Sequence, residues 1–207
     1  MLKIDKVFGY GEDGLTLRFF TTQLEDFLKI VEDSSAPDDC KFFYRPSFGR
    51  GGRNSKSTFG EFDGILSTPR KIYLIESKCW ANSRKPFLLD KAQMLRHEIF
   101  KKYYEVWEKG TKWEEIKLEL LGKLLPSGDS LLAKNLSKIL DQLMSDTGAR
   151  KEIMNVLIFF VPEGVTRKAS FSVDPQVKEK FTVLFCCGAS ASFDLFEKPD
   201  PCDITLS

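Results

Sequence analysis

Histidine is nearly absent from the chain: His97 is the only one among 207 residues. That excludes His-rich zinc chemistry and any catalytic triad that needs a second imidazole. The five cysteines, Cys40, Cys79, Cys186, Cys187 and Cys202, are odd in number and have no CxxC or similar spacing. They read as reduced, mostly buried thiols, and neither as zinc ligands nor as a disulfide framework. Excess charge is missing too. With 31 basic and 30 acidic residues the formal net charge is +1, so a nucleic acid would have to be held by a local basic surface. No apolar run approaches the roughly 18 residues of a membrane span, and the opening MLKIDKVFGYGEDG lacks the apolar stretch of a secretory signal. There is no P-loop signature, no internal repeat and no low-complexity tract. These absences predict a cytoplasmic protein without a membrane segment.

What is present reads as one folded unit. Apolar residues make up 42% and charged residues 29%, which is ordinary for a globular domain, and the 18 phenylalanines should be mostly core. Leu2 to Val7 and Leu15 to Phe20, separated by Gly9 to Gly14, read as an opening hairpin. Thr22 followed by Glu25 reads as a capped helix start, with Leu24, Phe27, Leu28 and Val31 at helical spacing. Strands are expected at Lys41 to Tyr44, Phe59 to Leu66, Ile72 to Cys79, Val156 to Val161 and Phe181 to Cys187. A long helix is expected from Pro86 to about Trp107. The stretch 110–150 is amphipathic and helical. Its leucines, between Trp113 and Leu143, serve either as a dimer face or as packing on the chain's own core. The order predicts an α/β (α+β) mixed sheet flanked by helices. It forms a single domain over 1–207, with a core at about 22–107 and 155–190 and a helical insertion at about 110–150.

Chemistry concentrates on two adjacent strands. Side chains alternate along a strand, so Glu61, Asp63 and Ile65 share one face, and Leu74, Glu76 and Lys78 share one face of the next. With the turn centred between Pro69 and Arg70, Asp63 lies opposite Glu76 and Glu61 opposite Lys78. Opposed side chains have Cβ atoms about 4.5–5.5 Å apart, and two carboxylates that close repel. A divalent cation removes the conflict, and two carboxylates completed by water and a phosphate suit Mg²⁺, with Mn²⁺ able to substitute. Such an ion activates water for attack on phosphorus, and Lys78 stands ready to orient that water or stabilise the charge that develops. Glu61 reads equally as a third ligand or as a partner of Lys78. Ile72 to Ile75 are apolar on both faces, as in a central strand, which sets Glu76 apart from the acid-x-Lys triplets Asp39-Cys40-Lys41 and Glu115-Ile116-Lys117.

Asp63, twelve intervening residues, and Glu76-Ser77-Lys78 closing an apolar strand resemble the PD-(D/E)XK nuclease superfamily. That family includes many restriction enzymes, Holliday-junction resolvases and RecB-like exonucleases. The resemblance covers about Thr22 to Trp107, and Phe62 stands where the motif's proline would be. It implies a restriction-endonuclease-like core of helix, three-stranded meander, helix and further strand. It also implies metal binding by the residues matching Asp63 and Glu76, with Lys78 assisting the water. Gln93 falls where RecB-like members carry a supporting glutamine, with His97 in place of their tyrosine. Glu25 falls on the first helix, where several members place another metal-linked acid; on its own spacing from Thr22 it reads more readily as a capping-box glutamate.

Lys41 to Thr58 carries Lys41, Arg45, Arg50, Arg53 and Lys56 and no acid. Arg45, Arg50, Arg53 and Lys56, leading into Asp63, are therefore candidates for contact with a phosphate backbone. The expectation is a Mg²⁺-dependent DNA endonuclease of restriction or repair type, with RNA left open as a substrate and a homodimer compatible with duplex cleavage. The alternative is a nuclease-fold protein that binds nucleic acid or a protein partner without cutting.

Overall fold

The computed structural model describes residues 8–47, 60–79, 87–107, 131–144, 150–162, 173–189, 192–194 and 203–206. In chain order the elements are β1 (Phe8–Tyr10), α1 (Gly11–Thr22), α2 (Leu24–Ile30), β2 (Lys41–Tyr44), β3 (Gly64–Ser67), β4 (Lys71–Cys79), α3 (Lys91–Val106), α4 (Leu131–Met144), β5 (Glu152–Pro162), α5 (Pro175–Lys180), β6 (Thr182–Ala189), β7 (Ser192–Asp194) and β8 (Asp203–Leu206). Among the described residues six strands form one mixed sheet in the order β2-β3-β4-β5-β6-β8, while β1 and β7 pair in a separate two-stranded ribbon. The first three sheet strands are an antiparallel meander. β4, β5 and β6 run parallel, so α3 and α4 lie in one crossover and α5 in the next. β8 closes the edge antiparallel to β6.

The alternation of β4 organises both layers. Tyr73 and Ile75 face α1 and α2, packing with Phe19, Phe20, Phe27 and Leu28. Ile72 and Leu74 face the other way, onto Phe100, Tyr104 and Trp107 of the α3 segment and Leu136, Leu140 and Leu143 of α4. All four β4 residues are fully buried, which stabilises the fold by about 1.5–3 kcal/mol for each side chain. Glu76 continues the Ile72–Leu74 row, and so its carboxylate points into the layer of α3.

Several expectations change. The opening hairpin is not formed. Leu15, Thr16, Phe19 and Phe20 are buried within α1, and their i, i+1, i+4, i+5 spacing is that of a helical face; Leu2 to Val7 lie outside the described residues. Thr22 does not cap α2. It ends α1, its hydroxyl donating to the Arg18 carbonyl (2.7 Å), and the residue preceding α2 is Gln23. α3 begins at Lys91, not Pro86. Leu136, Leu140 and Leu143 of α4 are part of the main core, and Trp107 donates its indole N–H to Asp141 (2.9 Å), which answers the dimer-face alternative for these leucines. Cys186 is disulfide-bonded, while Cys40, Cys79 and Cys187 are not. Disulfides are rare in the cytosol, so cysteine usage no longer argues for a cytoplasmic location. Among the described residues no helix is long and apolar enough to cross a membrane.

Candidate active site

The β3–β4 register is the one the turn at Pro69-Arg70 predicts: Gly64 opposes Ile75, Ile65 opposes Leu74 and Ser67 opposes Ile72. The ladder extends one residue further, because the Asp63 N–H donates to the Ile75 carbonyl (3.2 Å). Asp63 therefore stands beside Glu76 at the end of the hairpin. Its Oδ2 accepts from the Ser77 N–H (2.6 Å) and lies 4.0 Å from Lys78 Nζ. Burial, and then the negative charge of Glu76, push the Asp63 carboxyl up to about 7, although Lys78 and the Ser77 N–H pull the other way.

Glu76 is 1% exposed and held from α3 on both oxygens. Arg96 Nη2 donates to Oε1 (2.6 Å) and His97 Nε2 faces the same oxygen (3.3 Å). The Gln93 amide donates to Oε2 (2.9 Å). Gln93 does a second task, its side-chain carbonyl accepting from the Asp90 N–H (3.2 Å) as the third residue of a capping box does. Gln93, Arg96 and His97 share a helical face, and all three meet the one buried carboxylate. His97 Nδ1 also meets Asn155 Oδ1 (3.0 Å), and the Asn155 amide nitrogen donates to the Lys180 carbonyl (3.0 Å). Beyond His97 lies a cleft of about 340 Å³ lined by Met94, Lys101, Asn155, Lys180 and Phe181, and it does not reach Asp63, Glu76 or Lys78.

Lys78 closes the cluster on the side of α1. Its ammonium donates to Glu12 Oε1 (2.8 Å) and to the Ser77 carbonyl (2.5 Å), and Glu12 Oε2 accepts from the Cys79 N–H (3.1 Å). Burial pulls the Lys78 pKa down, but the Glu12 hydrogen bond and the charges of Asp63, Glu12 and Glu76 outweigh it and leave it above the ordinary lysine value. Lys78 is thus a fixed cation and a donor, not a base.

Two expected site residues fall elsewhere. Glu25 is a solvent-facing residue of α2, paired with Lys29 (2.9 Å) and 70% exposed, so it is not in the cluster. The helical acid that reaches the cluster is Glu12, in the first turn of α1. The sequence signal was Gly11-Glu12-Asp13 ahead of an i, i+4 apolar pattern, hidden by reading Gly9 to Gly14 as a turn. Glu61 does not oppose Lys78, because β3 starts only at Gly64. Upstream, the chain bends toward Pro46, with Ser47 and Glu61 bridged and the Phe62 N–H on the Pro46 carbonyl (3.3 Å). Glu61 pairs with Arg45 instead (2.8 Å). Arg45, φ +47°, also binds Asp13 (2.5 Å) and so ties the α1 N-terminus to the approach to Asp63. Arg50, Arg53 and Lys56 lie outside the described residues. Arg96 was missed, and His97 was noted only as standing in the place of the family's tyrosine, although their i+3 and i+4 offsets from Gln93 were a readable signal.

The donor set fits Mg²⁺. Among the described residues no three His, Cys, Asp or Glu side chains form a ready metal cage, but Mg²⁺ needs only one or two carboxylates with water and a phosphate. Asp63 and Glu76 would hold the ion: Glu76 Oε2 meets one donor among the described residues, and each carboxylate oxygen has two acceptor positions. No protein-family model, curated protein or solved structure matches the chain.

Proposed function

We propose that the chain is a metal-dependent nuclease of the PD-(D/E)XK type that hydrolyses phosphodiester bonds of DNA, as an endonuclease of restriction or repair type. The observation that carries this reading is the placement of Asp63 beside Glu76 and Lys78 at one end of β4, with the Asp63 carboxyl driven up to about 7 by burial and by its acidic neighbour. Paired carboxylates that destabilise each other's charge are what a divalent cation relieves. The order of a meander, a helix and a parallel strand supports the restriction-endonuclease-like assignment.

In this reading Asp63 and Glu76 hold Mg²⁺, which when bound supplies Lewis acidity toward the scissile phosphate and lowers the pKa of water. Lys78, kept charged by Glu12 and Asp63, donates a hydrogen bond to the incoming water or to a phosphate oxygen as charge builds there. Glu12 positions the ammonium of Lys78, and Gln93 positions Glu76. The test is cleavage of supercoiled, linear and branched DNA with Mg²⁺ or Mn²⁺. Asp63→Ala and Lys78→Ala are each expected to lose about 100-fold or more in rate, and chelation of the metal to abolish cutting.

One observation favours the alternative of a nuclease-fold protein that binds nucleic acid without cutting: the Glu76 carboxylate is already engaged by Arg96, His97 and Gln93. DNA binding unaffected by metal, with the same background cleavage in wild type and both variants, selects that alternative.

A further inference from the structure

Arg96 is the member of the cluster that a plain two-carboxylate metal site does not call for. We infer that Arg96 is a built-in counter-ion of Glu76 that takes the place of a second divalent cation, so that the site accepts one ion and accepts it weakly; this rests on the nuclease reading above. Four observations carry it. Arg96 Nη2 lies 2.6 Å from Glu76 Oε1, with Arg96 5% and Glu76 1% exposed, so the pair is shielded from solvent screening. The guanidinium charge is permanent. It is pinned at two further points, Nη1 donating to the Glu61 carbonyl and Cζ lying over the Phe62 ring, 5.1 Å from its centroid, a cation–π distance. Among the described residues its Nε is buried without a hydrogen-bond partner, a cost accepted to keep the charge on Glu76 rather than to saturate the guanidinium.

The charges around the site follow the same logic. Glu12, Asp63 and Glu76 face two fixed cations, Lys78 on the α1 side and Arg96 on the α3 side. A single divalent ion therefore overcompensates the acids, and a second beside Glu76 would meet the guanidinium at close range, where like charges in a low-dielectric interior repel strongly.

The experiment is titration of the full chain with MnCl₂ by calorimetry, with free-Mn²⁺ EPR for stoichiometry, on wild type, Arg96→Met, Arg96→Gln and Arg96→Lys. Circular dichroism establishes that each is folded. Wild type is expected to bind one Mn²⁺. Arg96→Met is expected to bind at least about tenfold more tightly, or to take a second ion, because the competing charge is gone. Arg96→Lys, which keeps the charge, should stay within about threefold of wild type. Arg96→Gln keeps an amide for Glu76 while losing the charge, and gives the same reading should Arg96→Met not fold. Two ions in wild type, or equal affinity and stoichiometry in all variants, would overturn the inference while leaving the metal site intact. No Mn²⁺ binding by any variant at millimolar concentration would reject the metal site itself, and the nuclease reading with it.

Discussion

At the residue scale, Asp63 is where function and stability oppose each other. Its carboxyl titrates at about 7 in the fold against an ordinary value near 4. Between those values the folded chain binds a proton that the unfolded chain has lost, so this group makes stability fall as pH rises from about 4 to 7. Asp63→Asn keeps an oxygen for the Ser77 N–H and removes the charge. It is expected to be more stable than wild type at pH 8, by a gain on the order of a few kcal/mol, and indistinguishable from it near pH 4. Urea unfolding at both pH values checks this, and Mg²⁺ should stabilise wild type but not the variant. Asp33 shows the opposite sign. Burial raises its pKa, but donors from Ser35, Tyr73 and Thr68 outweigh that and hold it at about 2. Its contribution is present above about pH 4 and is lost as pH falls toward 2, so Asp33→Asn should cost about 2 kcal/mol at pH 7 and little at pH 2, read from the same denaturation series.

At the scale of elements, the meander β2-β3-β4 carries Asp63 to Glu76, and Gly64 sits at its tightest point. A Cβ there would lie 2.5 Å and 2.7 Å from two ring carbons of Phe42, and Phe42 is stacked on Phe20 with ring centroids 4.7 Å apart, so it has no easy retreat. Gly64→Ala is expected to cost about 1–3 kcal/mol and to reduce cleavage by displacing the adjoining Asp63. Equal stability of wild type and variant in urea would show that the β2–β3 contact is looser than this packing implies. The Asp33 cluster works at the same scale. It joins the end of α2 to the β3–β4 turn through Thr68 (3.0 Å) and Tyr73 (2.9 Å), and so steadies the hairpin at the end opposite the carboxylates.

At the scale of the whole molecule, two helical layers enclose one sheet, and the segment between β4 and β5 belongs to the enclosure. Leu136, Leu140 and Leu143 of α4 share a cluster with Leu74 and Trp107. Leu140, fully buried, should cost about 2–5 kcal/mol when replaced by alanine, with no change in oligomeric state by light scattering. Dissociation of a dimer on that substitution would instead make the leucine stripe an intermolecular surface.

What the sequence by itself determined is what depends on neighbours along the chain. Alternation and the Pro69-Arg70 turn set the register that puts Asp63 opposite Glu76, since both are properties of a single hairpin. The two-faced apolar run Ile72 to Ile75 identified a central strand, because only a strand covered on both sides can bury every residue. The tertiary structure alone decided which distant groups surround those carboxylates. Glu12 rather than Glu25 reaches Lys78 because α1, not α2, places its first turn against the end of β4, and no local pattern encodes that docking. Arg96 and His97 are ordinary polar residues of an amphipathic helix until α3 lies across β4, where the burial of Glu76 turns them into its partners. A buried charge must be satisfied wherever the fold leaves it, and its partners come from whichever element happens to cover it.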